Sequence, residues 1–281
     1  MKKLFGTSGI RGLVNEKLTP EFCAKLGLVA AAFYGSNSTI LVGYDHRPQA
    51  RVISAAITSG LLAGGVDVID VGIVPTPAVL YAVKELKTNG AIVITGSHTI
   101  SEIIGILFFG SDTAEFSAEE EAKFENIFLS EKYTRMPWNR LGRLESMDIL
   151  DIYLDSVLSL TDLSKVEGRK VVVDAGNSCA SGILRSILTI AGVKTIAIND
   201  YPDPSFPGRG PFPRTDNLQE LSTITKNWGA DIGVGVDGDG DRAIFCDEEG
   251  TVYWGDISGA IFAAQAVSKG VERIVVTINT S

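Results

Sequence analysis

Gly235-Val-Asp-Gly-Asp-Gly-Asp-Arg242 closes an apolar run that begins near Asp231, and it sets Asp237, Asp239 and Asp241 at alternate positions on a glycine-relaxed loop. Three carboxylates so close together repel one another, and a hard divalent cation with oxygen ligands, Mg²⁺ or Ca²⁺, is their natural occupant. The competing reading is a solvated acidic turn, which the buried strand before it disfavours. Two other patterns overlap here and fail. Gly233-Val-Gly235-Val-Asp-Gly238 matches a dinucleotide-binding string, but it runs from a strand into an acidic loop and not into a helix N-terminus. Asp237, Asp239, Asp241 and Glu248 fall at calcium-hand ligand spacing, yet Arg242 stands where that loop needs its glycine, and a strand at Ala243–Cys246 follows.

A strand feeding a loop is one part of a larger alternation. Thr39–Val42, Val66–Val71, Ala91–Thr95, Lys170–Asp174, Lys194–Ile198 and Asp231–Val236 read as strands. Between them lie helix-length stretches at Pro20–Phe33, Pro48–Leu62, Pro75–Leu86, Ser117 onward, Asp148–Leu160, Ala180–Ala191 and Asn217–Trp228. This is the pattern of βαβ units and a mostly parallel sheet. Ile103–Phe109 is apolar and extended, and Asp247-Glu-Glu-Gly250 is a hairpin turn. Residues 201–214 carry five prolines and two glycines, an irregular loop of the length kept for function. A domain boundary is expected between 145 and 155. Asp256–Ser268 reads as a helix and Arg273–Ile278 as a buried-type strand, a pair that cannot cover its own apolar faces.

The 281 residues suffice for about two domains. A net charge of −9, with no long basic run, argues against nucleic-acid binding. Cys23, Cys179 and Cys246 are widely spaced and odd in number, as expected of buried free thiols in a reducing compartment. The N-terminus lacks the apolar core of a signal peptide and no apolar run reaches membrane-span length, so a soluble cytoplasmic protein is expected.

Thr95-Gly96-Ser97-His98 presents a hydroxyl at a strand's carboxyl end. Adjacent Ser and His cannot form a triad, but an exposed serine together with an acidic metal loop suggests phosphoryl transfer, with the hydroxyl carrying the phosphate. Thr7, Ser8 and Arg11 lie in a glycine-punctuated segment suited to an anion, or to a plain structured turn. His46 and Arg47 also follow a strand, where open α/β sheets bind ligands.

Phe5-Gly-Thr-Ser-Gly-Ile-Arg-Gly12, Gly43-Tyr-Asp-His-Arg47, Thr95-Gly-Ser-His98, Gly235-Val-Asp-Gly-Asp-Gly-Asp-Arg242 and Trp254-Gly-Asp256 stand in the order seen in α-D-phosphohexomutases. Over essentially its whole length the chain resembles the N-terminal half of that phosphoglucomutase/phosphomannomutase family, with phosphoglucosamine mutase a close branch. The resemblance implies two α/β domains with mixed sheets flanked by helices: a phosphoserine-loop domain at 1–148, a metal-binding domain at 149–252, and the incomplete start of a third at 253–281. It also implies that Ser97 carries the phosphoryl group, that Ser97, Asp237, Asp239 and Asp241 hold Mg²⁺, that Thr7, Ser8, Arg11 and Arg242 meet phosphate oxygens, and that His98 stands beside the nucleophile. The substrates would be a hexose phosphate and its bisphosphate, interconverting 1- and 6-phosphates.

The serine loop departs from the family's Thr-Ala-Ser-His-Asn-Pro…Tyr-Asn-Gly-Ile-Lys. Gly96 replaces alanine, Thr99-Ile100 replaces Asn-Pro, Ile104 replaces asparagine, and Leu107 stands where the family has a lysine. Leucine neither moves protons nor holds phosphate. The family's third-domain sugar loop and fourth-domain phosphate clamp are also absent from these residues. The alternative expectation is therefore a truncated, catalytically weak homologue serving as a Mg²⁺-binding or interaction module. Its apolar segment 256–281 would self-associate or recruit a complementing chain.

Overall fold

The computed structural model describes residues 3–160 and 162–276. In chain order the elements are β1 (Ile10–Leu13), α1 (Pro20–Tyr34), β2 (Thr39–Tyr44), α2 (Pro48–Ala63), β3 (Asp67–Ile73), α3 (Thr76–Leu86), β4 (Gly90–Thr95), β5 (Ile103–Gly110), α4 (Ala118–Ser130), β6 (Leu144–Ser146) and α5 (Leu150–Ser159). There follow β7 (Lys170–Asp174), α6 (Ile183–Ile190), β8 (Lys194–Ile198), α7 (Gln219–Trp228), β9 (Ile232–Val236), β10 (Ala243–Cys246), β11 (Val252–Tyr253) and α8 (Gly255–Ser268).

The strands form two mixed sheets, ordered β1-β5-β4-β2-β3-β6 and β11-β10-β9-β7-β8. In the first, β2 runs parallel to β3 and β4, while β5 is antiparallel to β4 and β1. In the second, β7 is parallel to β8 and β9, and β10 turns back antiparallel on β9. Helices cover both faces of the first sheet, so every residue of β4 is buried, consistent with its uninterrupted apolar run. Ile10, Val42, Ile92, Ile106 and Phe108 face α1, α2 and α4. Leu41, Val93 and Leu107 face α3 and α5.

Local chemistry sets the helix starts. The Thr19 hydroxyl accepts the Phe22 N–H ahead of Pro20 at 3.3 Å, and Ser117 with Glu120 forms a capping box at α4. The largest departure from the predicted boundaries is α6, which begins at Ile183. The turn before it runs through Gly182 at φ +78°, a left-handed position that ends one turn and starts the helix afresh. β1 and β6 were not foreseen.

The predicted strand Arg273–Ile278 is not formed over its described part. Residues 273–276 pair with nothing regular and Val275 is 95% exposed, while 277–281 lie outside the described residues. A β-branched run without a neighbour to complete its ladder has no reason to become a strand. Helix α8 forms as expected and touches the second sheet through Phe262, whose ring meets Phe245 at 5.8 Å. It leaves Ile257, Ile261 and Val267 exposed. No helix of the described residues is long and apolar enough to cross a membrane.

Candidate active site and metal centre

Two strand ends face each other. Central strand β4 delivers the loop that begins at Gly96, and β9 delivers Asp237 from the second sheet. Gly238 makes the approach feasible, because a Cβ there would collide with the Ser97 carbonyl. The Ser97 hydroxyl donates to Asp237 Oδ2 at 3.1 Å, across 140 residues of sequence. On its other side Ser97 Oγ lies 3.1 Å from His98 Nδ1. Ser97 is buried and sits at φ +47°, a left-handed conformation unusual for a residue with a Cβ.

The aspartate loop is tied from several directions. Asp237 Oδ1 accepts the N–H groups of Asp241 and Arg242, each at 3.2 Å. Thr76, at the N-terminus of α3, donates its hydroxyl to Asp239 Oδ2 at 2.8 Å and its N–H to the Asp239 carbonyl at 3.0 Å. Behind the loop, Arg209 from the proline-rich segment pairs with buried Asp174 at 2.7 Å and donates to the Val236 carbonyl at 2.6 Å. That segment therefore braces the strand end that carries Asp237.

One ligand atom from each of Asp237, Asp239 and Asp241 can be chosen so that all lie within 4.8 Å of one another. Burial, with Asp239 and Asp241 nearby, pushes the Asp237 carboxyl up to about 8. Partial desolvation and Asp239 raise Asp241 to about 6. Asp239 Oδ1 is buried with no hydrogen-bond partner. An orphaned carboxylate oxygen among mutually repelling acids, with a serine hydroxyl adjoining, is an all-oxygen donor set that fits Mg²⁺.

Cations ring these acids. Arg242 Nε lies 3.7 Å from Asp241 and 3.9 Å from Asp237. Arg11, on β1 opposite Gly105, donates through Nε to the Ser8 carbonyl at 3.0 Å. Burial and the charges of Arg242 and Arg11 lower the His98 pKa, which keeps its imidazole neutral near pH 7. Thr7 is exposed on the turn before β1, and the Ser8 hydroxyl donates to Glu115 at 3.0 Å. A carboxylate so close leaves Ser8 poorly placed to receive an anion.

Beside Arg242 opens a hollow of about 370 Å³ lined by Phe212, Pro213, Trp254 and Asp256. The rings of His98, Phe212 and Trp254 run in sequence from beside Ser97 to the hollow, at 5.1 and 6.0 Å. Sequence reasoning singled out Arg47 with His46 as a strand-end ligand candidate, but gave Asp45 and Thr76 no role. Asp45 lay in the quoted Gly43–Arg47 segment, and Thr76 was read only as part of a helix start.

Comparison with known proteins bears on this geometry. The chain matches "phosphoglucomutase/phosphomannomutase, alpha/beta/alpha domain I" over residues 2–135 and domain II of the same family over 151–250. It is 39% identical to a phosphoglucomutase/phosphomannomutase of Thermococcus kodakarensis. It is 38% identical to a phosphoglucosamine/phosphogalactosamine mutase of Sulfurisphaera tokodaii. Both alignments take in 100% of this chain and 63% of the relative, so the chain spans somewhat under two thirds of their length. A crystal structure of a phosphoglucomutase/phosphomannomutase family protein from Burkholderia thailandensis superposes with a TM-score of 0.84 at 26% identity, covering 96% of this chain and 60% of that one. With two successive domains matched and the same fold in a solved relative, the chain belongs to the phosphoglucomutase/phosphomannomutase family.

Proposed function

We propose that this chain supplies the phosphoryl-carrying half of a hexose-phosphate mutase, with Ser97 as the acceptor and Asp237, Asp239 and Asp241 as ligands of a divalent cation. The observation that carries the reading is the 3.1 Å hydrogen bond joining the Ser97 hydroxyl to Asp237. It brings a hydroxyl of the loop after β4 onto the first residue of the acidic loop.

In this reading a hexose bisphosphate enters from the hollow beside Arg242. Once its hydroxyl turns from Asp237, Ser97 gives its proton to His98 Nδ1, whose ring holds its own proton on Nε2. Ser97 Oγ then forms a bond to phosphorus as the phosphorus–sugar oxygen bond breaks, and the freed sugar oxygen takes up a proton. Arg11 and Arg242 pair with the equatorial phosphate oxygens. When bound, a divalent cation would neutralise charge on the phosphate as it passes between oxygens. Reversal onto the free 6-hydroxyl of an incoming hexose 1-phosphate re-forms the bisphosphate and leaves the first sugar as its 6-phosphate, completing a 1- to 6-phosphate exchange. The relatives' names span neutral hexoses and hexosamines, so the substrate class is hexose or hexosamine phosphate.

A second reading, a cation-binding homologue with feeble turnover, is favoured by one feature. Leu107 is packed among Val71, Val79 and Val93, so no charged group stands where the family places a lysine. Incubation with glucose 1,6-bisphosphate and Mg²⁺, followed by peptide mass spectrometry, separates the two. Phosphate on Ser97, absent in Ser97→Ala, together with glucose 1-phosphate conversion supports the first. Phosphate on Ser97 without conversion supports the second, and phosphate on another hydroxyl removes both.

A further inference from the structure

Behind the Ser97 backbone lies a completely buried ion pair, Asp45 and Arg47 at 3.5 Å. Asp45 and Arg47, both about 1% exposed, leave β2 for the start of α2. Asp45 Oδ2 accepts the Thr95 hydroxyl at 2.9 Å and the Gly96 N–H at 2.8 Å. Thr95 Oγ1 in turn accepts the Ser97 N–H at 2.7 Å. From the other side Arg47 Nη2 donates to the carbonyls of Ser97 at 3.1 Å and Thr99 at 2.8 Å, while Nη1 donates to Ile103 at 3.3 Å. Asp45 thus holds the groups entering Ser97, and Arg47 holds the carbonyl leaving it. Phe206, from the second domain's proline-rich loop, lies over the guanidinium at 5.1 Å.

The space for that guanidinium exists because residue 96 has no side chain. A methyl built on Gly96 would land on Arg47 Nη1 and stand 2.6 Å from the Ile103 carbonyl. In this chain a Cβ at position 96 and the buried arginine exclude one another. We infer that Asp45 and Arg47 are positioning residues that hold Ser97 in its left-handed conformation with its hydroxyl on Asp237, and that the bare Gly96 leaves the room Arg47 occupies beside the loop. The inference rests on the reading of Ser97 as phosphoryl acceptor.

A buried ion pair serving only fold stability would show a different response, and double mutants tell the two apart. The rate of Ser97 labelling by glucose 1,6-bisphosphate with Mg²⁺ and the hydrogen exchange of residues 95–103 are followed in Arg47→Lys, Arg47→Ala, Gly96→Ala and the Arg47→Ala/Gly96→Ala pair. Arg47→Ala should slow labelling at least tenfold and speed exchange in 95–103, leaving 170–253 as protected as before. Low millimolar guanidinium should restore part of the rate, and ammonium should not. Gly96→Ala should be as damaging as Arg47→Ala where the arginine is present and clearly less damaging once it is gone, the remainder reporting the clash with the Ile103 carbonyl.

Labelling within twofold of wild type in Arg47→Ala, or equal Gly96→Ala effects in both backgrounds, would overturn the inference. Should Arg47→Ala not fold, Gly96→Ala and Arg47→Lys decide it by the same two readouts. A wild-type chain unlabelled at Ser97 removes the functional reading alone. The positioning role then stands or falls on exchange, and unchanged protection of 95–103 in Arg47→Lys and Gly96→Ala overturns it.

Discussion

Replacing Asp237 by Asn should stabilise the cation-free protein at pH 8 while abolishing its stabilisation by Mg²⁺. Asp237 is wholly buried and its carboxyl is raised from 3.8 to about 8 by burial and by Asp239 and Asp241. The folded state therefore holds a proton that the unfolded chain gives up near pH 4. With more protons bound in the folded state, stability falls as pH rises from about 4 towards 8. Four units at ~1.4 kcal/mol each set a ceiling of roughly 5 kcal/mol, shared among the three acids. Asparagine keeps the Oδ1 acceptor for the Asp241 and Arg242 N–H groups and removes the charge. Denaturant or thermal melts in EDTA at pH 6 and pH 8 should show the wild type losing stability across the interval and Asp237→Asn nearly flat. Mg²⁺ at a hundred times its Kd should add about 2.7 kcal/mol to the wild type and little to the variant. A cation-free wild type that gains stability from pH 6 to 8, or a variant that keeps the Mg²⁺ increment, would refute the reasoning.

Mn²⁺ affinity, read by electron paramagnetic resonance, should rise with pH between 6 and 8, because Asp241 at about 6 and Asp237 at about 8 must shed protons to bind it. Phe124 is fully buried against Phe5, Phe108 and Phe116, so Phe124→Ala should lower stability by about 3–5 kcal/mol in chemical denaturation. Leu107→Lys places an ammonium in an apolar cluster and should cost roughly 2–4 kcal/mol in the same assay, whatever it does to Ser97 labelling.

How far the sequence could be read followed from how local each signal was. β4 is a short apolar run followed by Gly96 and β9 one followed by Asp237-Gly238, so strand and strand end were both legible. β6 is Leu144-Glu-Ser with all three residues exposed, and only its pairing with β3 makes it a strand. The acidic loop announced itself through three aspartates within five residues. Arg47 stood out only by its place after a strand, and its pairing with Asp45 was not legible, because a buried ion pair is defined by neighbours fifty residues away that no local period encodes. Thr76 likewise sits in an ordinary helix start whose partner, Asp239, lies 163 residues downstream. The strand expected from 273 onward is not formed over 273–276 for the opposite reason: the local signal is strong, but no described residue pairs with it.

The charges gathered at the two strand ends carry a last consequence. Arg11, Arg47 and Arg242 all act on the His98 imidazole, and Asp45, Asp237, Asp239 and Asp241 lie among them. Three cations against four carboxylates leave one negative charge when every acid is ionised. A divalent cation reverses that to one positive charge. A phosphoryl group on Ser97, carrying about two negative charges, would make the cation-free cluster strongly anionic. The same group beside a bound cation leaves the cluster close to neutral. Each should therefore strengthen the other's hold, and by linkage the coupling is reciprocal. The Ser97-phosphorylated chain should bind Mg²⁺ more tightly than the unmodified chain, on the order of tenfold for a coupling of ~1.4 kcal/mol. Calorimetry on the two forms measures it directly. Equal or weaker affinity in the phosphorylated chain would show that the Ser97 phosphate does not reach the cation held by Asp237, Asp239 and Asp241.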